Sequence, residues 1–385
     1  MNRFILLSAT LIVGCSQTTS KTTEEAASTL DEETNSNTEE SNNNSSEDLP
    51  EDQPEDNSDP MTDDYTNPNF ATGVTTLAGS GDFSSVDGVG LSASFAEPKS
   101  LTMRPDGTLI VVDSNTGSIR EVSLDGTVTT MSFNGPKPTA PSGVVADAYG
   151  SLYISDYEEH CIYKIQNNNS HVFAGSCGTS GFQDGTNALF NLPRGMDFDH
   201  DGNLIVADAH NFRIRSISPS GEVRTIAGSG AEFVGPSEGS TETANIYLPF
   251  GIAVHESGDI YFSGFDHCIR RIHEGQVEDI AGLCRNYLNE GTEDGLPTEA
   301  RFSHPLDITF APDNSLIIAD CFNDRIRVLS ADFSSVTTLS GSATGYLDGS
   351  LEEALFEIPR GVTVDRFGNI YVADSINMRI RVVTP

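Results

Sequence analysis

The chain has 385 residues and a formal net charge of −36, from 57 Asp and Glu residues against 21 Lys and Arg residues. A surface this acidic repels nucleic-acid phosphates and anionic lipid headgroups, and the sequence holds no compact basic cluster to offset the repulsion. The composition therefore predicts that nucleic acid is not a partner.

The first element in chain order is an apolar run from Phe4 to Val13, preceded by Arg3. Its ten residues are too few for a hydrocarbon core that needs about 20. The run therefore predicts a signal peptide over residues 1–14 rather than a membrane span.

The stretch LIVGC that ends at Cys15 resembles a bacterial lipoprotein signal. The resemblance implies cleavage before Cys15 and attachment of acyl chains, including palmitate, which together anchor a protein stably to a membrane. Ser16 stands where an Asp retains lipoproteins at the inner membrane, so the resemblance favours the outer membrane of a bacterial envelope, on either its periplasmic or its surface face. An ordinary export signal with an incidental cysteine is the alternative.

The composition of residues 15–72 predicts a disordered acidic linker. The segment from residue 16 to residue 72 holds sixteen Asp or Glu against the single Lys21 and has almost no aliphatic content. Such a segment cannot bury enough apolar surface to offset the entropy of ordering. We therefore expect it to tether the remainder of the chain to Cys15.

Six similar units follow, over residues 73–385. Each has a proline at its first strand, and the units then roughly follow the pattern G-N-apolar-A-D and N-x-R-I-R. Periods of this size indicate a closed or stacked array of small sheets. Most units are also preceded by a linker that begins with Asp-Gly and ends with Phe. The anchoring prolines are Pro98, Pro141, Pro193, Pro249, Pro305 and Pro359.

Period-2 alternation predicts four strands in each unit, except that the last unit has three. The segment Val74–Gly81 reads as a fourth strand with no first three before it. Pairing it with the last unit would close the ring and leave no exposed sheet edge. The sequence thus predicts an all-β fold, a six-bladed β-propeller in which an N-terminal strand completes the last blade.

The repeat resembles the NHL-repeat family, most completely in NLIVADAHNFRIR from Asn203 and NIYVADSINMRIR from Asn369. That family contains extracellular and membrane-tethered binding propellers and a few enzymes, such as peptidylglycine amidating lyase. The resemblance implies the fold of residues 73–385 and says little about activity.

Four of the six cysteines lie in register in the second and fourth units. Cys161 with Cys177, and Cys268 with Cys284, each pair a third strand with the end of a fourth, which predicts two disulfides within blades. Metal binding is the rival interpretation, because a histidine precedes Cys161 and Cys268. Cys321 is left over and is interpreted as a buried, inert thiol.

A recurring aspartate ends the second strand in five units, and Gly264 interrupts the series. We interpret it as a structural residue that pairs with the arginine five positions later, as in Arg213, Arg325 and Arg379. The members of the series are Asp113, Asp156, Asp208, Asp320 and Asp374.

The units differ most just after the anchoring proline, where the first strand enters the channel. Polar and aromatic groups that converge on a concavity suggest a ligand site, here for a small anion, a glycan or a protein. The alternative is that these side chains only pair with neighbouring acids. The predicted ligand-binding residues are Lys99, Arg194, Phe250, His304, Asp307 and Arg360.

We interpret the chain as a lipid-anchored, extracytoplasmic binding or scaffold module without catalytic residues, metal or cofactor. The alternative is a propeller hydrolase or lyase that holds one divalent cation, such as calcium, in its channel. Only Asp307 and Glu97 are placed as ligands for that cation, and no three-histidine set is visible.

Overall fold

A computed structural model describes residues 65–232, 237–284 and 289–385 of the chain. The predicted signal peptide, Cys15 and the linker up to residue 64 lie outside the described residues. No helix in the described ranges has the length and apolarity to cross a bilayer.

The described residues form six antiparallel sheets arranged as the blades of a propeller. Blade 1 contains β2 (Gly88–Val89), β3 (Pro98–Met103), β4 (Leu109–Asp113), β5 (Ser118–Val122) and β6 (Thr127–Thr130). Blade 2 contains β7 (Pro141–Ala146), β8 (Leu152–Asp156), β9 (Cys161–Gln166) and β10 (Asn169–Gly175). Blade 3 contains β11 (Pro193–Phe198), β12 (Leu204–Asp208), β13 (Arg213–Ile217) and β14 (Val223–Ala227). Blade 4 contains β15 (Gly239–Ser240), β16 (Pro249–Val254), β17 (Ile260–Gly264), β18 (Cys268–His273) and β19 (Gln276–Ala281). Blade 5 contains β20 (Pro305–Phe310), β21 (Leu316–Asp320), β22 (Arg325–Leu329) and β23 (Val336–Ser340).

Blade 6 confirms the predicted closure. It consists of β1 (Gly73–Ala78), β24 (Pro359–Val364), β25 (Ile370–Asp374) and β26 (Arg379–Thr384), in the order β1-β26-β25-β24. Gly73 pairs with Thr384, and the antiparallel ladder runs to Ala78 opposite Ile380. The innermost strands β3, β7, β11, β16, β20 and β24 contact one another in a closed cycle around the channel.

The hydrophobic core is divided into six clusters, and each lies between two adjacent blades. The phenylalanine that ends each Asp-Gly linker is buried in such an interface. These residues, all fully buried, are Phe95, Phe190, Phe302 and Phe356. Each blade thus buries its two faces against its neighbours, which is why a single unit cannot fold alone.

Short 3₁₀ turns follow the second strands of blades 1, 3 and 5, at Ser114–Thr116, Ala209–Asn211 and Cys321–Asn323, and another, Gly90–Ser92, follows β2.

The recurring aspartate has the structural role that the sequence predicts, but its predicted partner is wrong. It pairs with the second arginine of the R-I-R motif, seven positions later, as in Asp374 with Arg381 at 2.7 Å. That guanidinium also binds the Asp-Gly linker carboxylate, Asp348, at 2.6 Å. The first arginine, Arg379, lies instead over the ring of Tyr346. The prediction chose the wrong arginine because residues two apart share a sheet face, so both arginines lie on the side of the aspartate. Only the second arginine is fully buried beside it.

Two disulfides link Cys161 to Cys177 and Cys268 to Cys284, as the register of the repeat predicts. Cys321 is free and fully buried, and burial raises the pKa of its thiol far above the ordinary value. A thiol in this state is a poor nucleophile. Disulfides of this kind are typical of proteins that fold outside the reducing cytosol.

Residues 65–72 were assigned to the linker by their sequence, yet two of them pack on the propeller. Phe70 lies against the core cluster between blades 6 and 1 and makes an edge contact with Tyr371 at 6.2 Å between ring centroids. Tyr65 makes an edge contact with Phe367 at 5.7 Å. The packed part of the chain therefore begins before the predicted boundary at residue 73.

Candidate functional site

The residue after each anchoring proline lines one cavity at the mouth of the channel. All six blades contribute to it, because the first strands converge on the axis. The cavity encloses about 50 Å³, which is room for three or four water-sized groups, since a water needs about 10–15 Å³. Its lining residues are Lys99, Ser100, Ser142, Arg194, Gly195, Phe250, Leu306, Asp307 and Arg360.

Two of the three cations at this mouth share a single carboxylate, and the third has none. Glu97 accepts Arg360 at 3.0 Å and lies 3.6 Å from Lys99 Nζ. Arg194 is held differently, between two rings, with its guanidinium 4.5 Å from the centroid of Phe250 and 5.5 Å from that of Tyr157. Its Nε, like the Nε of Arg360, is buried without a hydrogen-bond partner among the described residues. The mouth therefore holds more positive charge than its own acids balance.

The pKa values of the cations reflect this crowding. Burial, helped by the charges of Arg360 and Arg194, lowers the pKa of Lys99 to about 8, although Glu97 opposes the shift. Burial and Arg360 lower the pKa of Arg194 to about 10. Both groups are thus destabilised as cations, and a bound anion would relieve the repulsion.

Asp307 lines the same cavity on the side of blade 5. Its carboxylate accepts the backbone N–H of Ile308 and, across the blade boundary, that of Val362 at 3.1 Å. Burial raises its pKa to about 7, and the charge of Asp197 adds to the rise. Asp307 makes no ion pair with a described cation, so Glu97 is the carboxylate that directly contacts Lys99 and Arg360.

A series of rings continues from the cavity across blades 2 to 5, and we call it the aromatic arc. Phe265 stacks on Phe250 at 5.9 Å, His304 contacts Phe265 at 4.1 Å, and Phe322 lies 4.4 Å beyond His304. Tyr157 is the fifth member, on the opposite side of Arg194. Phe322 is 42% exposed, so the arc leads from the cavity to the open surface.

His304 does not line the cavity with the other five predicted residues. The structure places its ring one step away, between Phe265 and Phe322, because Leu306 and Asp307, not His304, follow the proline into the channel. Burial and the nearby His267 lower the pKa of His304 to about 4. The imidazole is therefore neutral at pH 7 and contributes an aromatic surface rather than a positive charge.

His304 also belongs to a cluster with His267 and Glu290, whose possible ligand atoms lie within 4.8 Å of one another. The geometry argues against a metal there. The backbone N–H of His304 donates to Nδ1 of His267 at 3.0 Å, so the lone pair of that nitrogen is already engaged and is not available to a metal. His160 accepts the N–H of Leu192 in the same way in blade 2, which identifies a repeated structural contact.

The carboxylates considered for a divalent cation are also engaged. Glu97 is paired with Lys99 and Arg360, and Asp307 accepts two backbone N–H groups. A cation placed beside Glu97 would meet two like charges. The described residues of the mouth therefore fit an anion better than a cation.

Sequence reasoning missed Tyr157 and Phe265 as parts of this surface. Both follow the end of the second strand, a position held elsewhere by Ser114, Ala209, Cys321 and Ser375. The presence of two aromatic residues at a position that is otherwise small indicates that these two blades differ from the rest there. The direction of a side chain in a turn is not periodic, however, so the sequence could not show that both face the channel mouth.

The fold and its site define the protein as a six-bladed β-propeller with a polar cavity at one end of its channel. No protein-family model matches the sequence. Two solved structures share the fold. A protein of unknown function from Bacteroides thetaiotaomicron has a TM-score of 0.65 and 21% sequence identity, with 81% of this chain and 75% of that chain covered. An auxiliary nutrient binding protein from Bacteroides ovatus has a TM-score of 0.64 and 19% sequence identity, with 81% of this chain and 76% of that chain covered.

Curated relatives are similar in sequence as well. NHL repeat-containing protein 2 of Gallus gallus is 30% identical over 280 residues, which cover 64% of this chain and 38% of that protein. Protein SUPPRESSOR OF QUENCHING 1, chloroplastic, of Arabidopsis thaliana is 28% identical over 279 residues, 67% of this chain and 26% of that protein. The chain thus spans well under half the length of these relatives. Its sequence is thus similar to that of an NHL repeat-containing protein, and its fold is the six-bladed propeller that the repeat predicts.

Proposed function

We propose that the protein is an extracytoplasmic binding module whose channel mouth takes the carboxylate of an anionic ligand, such as a carboxylated sugar or a chain of them. One observation carries the proposal: Lys99, Arg194 and Arg360 surround a cavity of about 50 Å³ with Glu97 as their only ion-pair partner among the described residues. An anion would supply the missing negative charge.

The size of the cavity supports a terminal group rather than a whole ligand. A space of about 50 Å³ holds a carboxylate or a similar small group, while a sugar ring would lie outside it. Phe250 and Phe265 begin the aromatic arc at that point, and the apolar face of a pyranose ring packs well on an aromatic ring. The charged cavity and the arc together suit an acidic sugar better than a simple inorganic anion.

The fold neighbours are consistent with binding. Auxiliary nutrient binding proteins from Bacteroides ovatus and Bacteroides thetaiotaomicron have the same fold, at 19% and 17% identity. Their ligands are not transferred to this chain, because such likeness carries the fold alone. A gluconolactonase from Xanthomonas campestris also shares the fold, at 12% identity, so the hydrolase or lyase alternative is tested by metal analysis of the purified protein.

The binding proposal is tested by calorimetry with galacturonate and galactose, which differ in one carboxylate. We expect galacturonate alone to bind, and its affinity to fall as salt is raised. The double substitution Arg194→Gln and Arg360→Gln should weaken binding by about tenfold to a hundredfold, because it removes two charge-assisted contacts. Its melting temperature should change little, since the loss of the Arg360–Glu97 pair is offset by the removal of like charges.

Arg224→Gln is the matched control, because Arg224 is an exposed arginine on β14, away from the cavity. It should leave the affinity for galacturonate unchanged. Equal binding of galactose and galacturonate, or full affinity in the double variant, would show that the ligand site lies elsewhere.

We extend the proposal to a lipid anchor at Cys15, on the strength of the LIVGC stretch and of the two disulfides, which suit an oxidising compartment. In bacteria that express the full chain, Cys15→Ser should move the protein from the membrane fraction to the soluble fraction. Cys321→Ser, at the buried thiol, is the control and should stay with the membrane. A Cys15→Ser protein that remains membrane-bound contradicts the anchor.

A further inference from the structure

We propose that Lys99 forms a covalent imine with 2-oxo acids whose carboxylate is held at the channel mouth by Arg194 and Arg360. This inference rests on the proposed anion site and adds a reaction to it. It concerns a nucleophile that simple anion binding does not require.

The position of Lys99 relative to the two arginines carries the inference. Its side chain is 12% exposed and lines the cavity. Lys99 Nζ and the Arg194 guanidinium both lie over the ring of Tyr157, at 4.7 Å and 5.5 Å from its centroid. Lys99 and Arg360 share the two oxygens of Glu97. Because all three cations line the same small cavity, a carboxylate that binds the arginines lies in the same space as Nζ.

The surroundings also favour the reactive form of the amine. Burial, Arg360 and Arg194 lower the pKa of Lys99 to about 8. A carboxylate bound to the arginines offsets their part of this shift, but burial, the largest cause, still favours the unprotonated amine relative to a free lysine. A lysine beside other cations in a partly dry site is a recognised arrangement for imine formation. The groups that face it are Glu97, Tyr157, Arg194 and Arg360.

The reaction is a condensation and needs no oxidant or reductant. The lone pair of Nζ attacks the carbonyl carbon, and the electrons of the carbonyl double bond move to its oxygen. Glu97, 3.6 Å from Nζ, accepts a proton from the nitrogen and returns it to the oxygen. That oxygen leaves as water together with the second amine proton, and a carbon–nitrogen double bond remains.

The experiment treats the full-length protein with pyruvate and sodium cyanoborohydride, which reduces an imine to a stable secondary amine. Peptide mass mapping then gives the labelling rate at each lysine. The chain has only four lysines, Lys21, Lys99, Lys137 and Lys164. Lys137 and Lys164 are internal references because each also lies over an aromatic ring, Phe133 or Tyr153, but neither lines the cavity.

We expect Lys99 to be labelled at least about tenfold faster than either reference, as its larger unprotonated fraction requires. Excess lactate, an anion without a carbonyl, should slow this labelling, and acetone, a carbonyl without an anion, should show little selectivity. The ratio of Lys99 to Lys137 should decline above pH 8, where the amine of Lys99 is already deprotonated. Lys99→Arg should lose the adduct, and Lys137→Arg should leave it unchanged.

Equal labelling of Lys99 and the references overturns the inference. If galacturonate binds by calorimetry while Lys99 stays unlabelled, the imine is wrong and the anion site stands. If galacturonate fails to bind and Lys99 is not selected, the anion site itself is wrong.

Discussion

A chain that begins at Phe83 should unfold at a much lower denaturant concentration than one that begins at Tyr65. The shorter chain lacks β1, which buries Val74 and Leu77 in the two interfaces of blade 6. Burial of two such side chains contributes about 3–6 kcal/mol. The loss also exposes the edge of β26, so aggregation should increase. Equilibrium unfolding in urea and light scattering would measure both effects.

A chain that begins at Gly73 separates the two contributions of this region. It keeps β1 but loses the contacts of Tyr65 and Phe70, so we expect a smaller loss of stability, about 1–3 kcal/mol for the apolar area of Phe70. If the chains beginning at Gly73 and Phe83 were equally stable, the N-terminal strand would not be what closes the ring.

The substitution Arg381→Met should cost about 3–5 kcal/mol of unfolding free energy. Its guanidinium is fully buried between Asp374 and Asp348. Removal of one member of a buried ion pair leaves an uncompensated charge, here the fully buried Asp374. Urea denaturation of the variant checks the value.

Arg379→Met on the same strand is the matched control. Arg379 lies over Tyr346 and donates to two backbone carbonyls, and it makes no ion pair with a described carboxylate. We expect a loss of about 1 kcal/mol. The double variant Arg381→Met with Asp374→Asn should lose less than the sum of the single variants, because neither charge is then left alone. Strict additivity would contradict the coupling between the two residues.

The sequence predicts the blades well because the signals that define them are periodic. The spacing from Pro98 to Pro359 sets the number of blades, and alternation along the strands sets their faces. The disulfides followed from register, since Cys161 and Cys268 occupy equivalent strand positions. These inferences need only the repeat itself.

The site was less predictable because it depends on side-chain directions outside the regular strands. Lys99, Arg194 and Arg360 occupy one repeat position, so their convergence on the axis follows from the symmetry of the ring. His304 precedes its proline at a positive φ of 52°, in a turn that takes its ring away from the cavity. The pairing of Asp374 with Arg381 likewise depends on which of two arginines on the same sheet face is buried beside the aspartate, and the spacing alone does not settle that.

The pairing of Gly73 with Thr384 has a consequence for how the chain can be rearranged. The two ends of the propeller lie side by side on one sheet, so a short loop can connect them without moving a blade. New termini cut into the exposed turn at Gly258 would then give a circular permutant with the same six sheets. In that molecule blade 6 would be continuous in sequence, and blade 4 would become the one assembled from both ends of the chain.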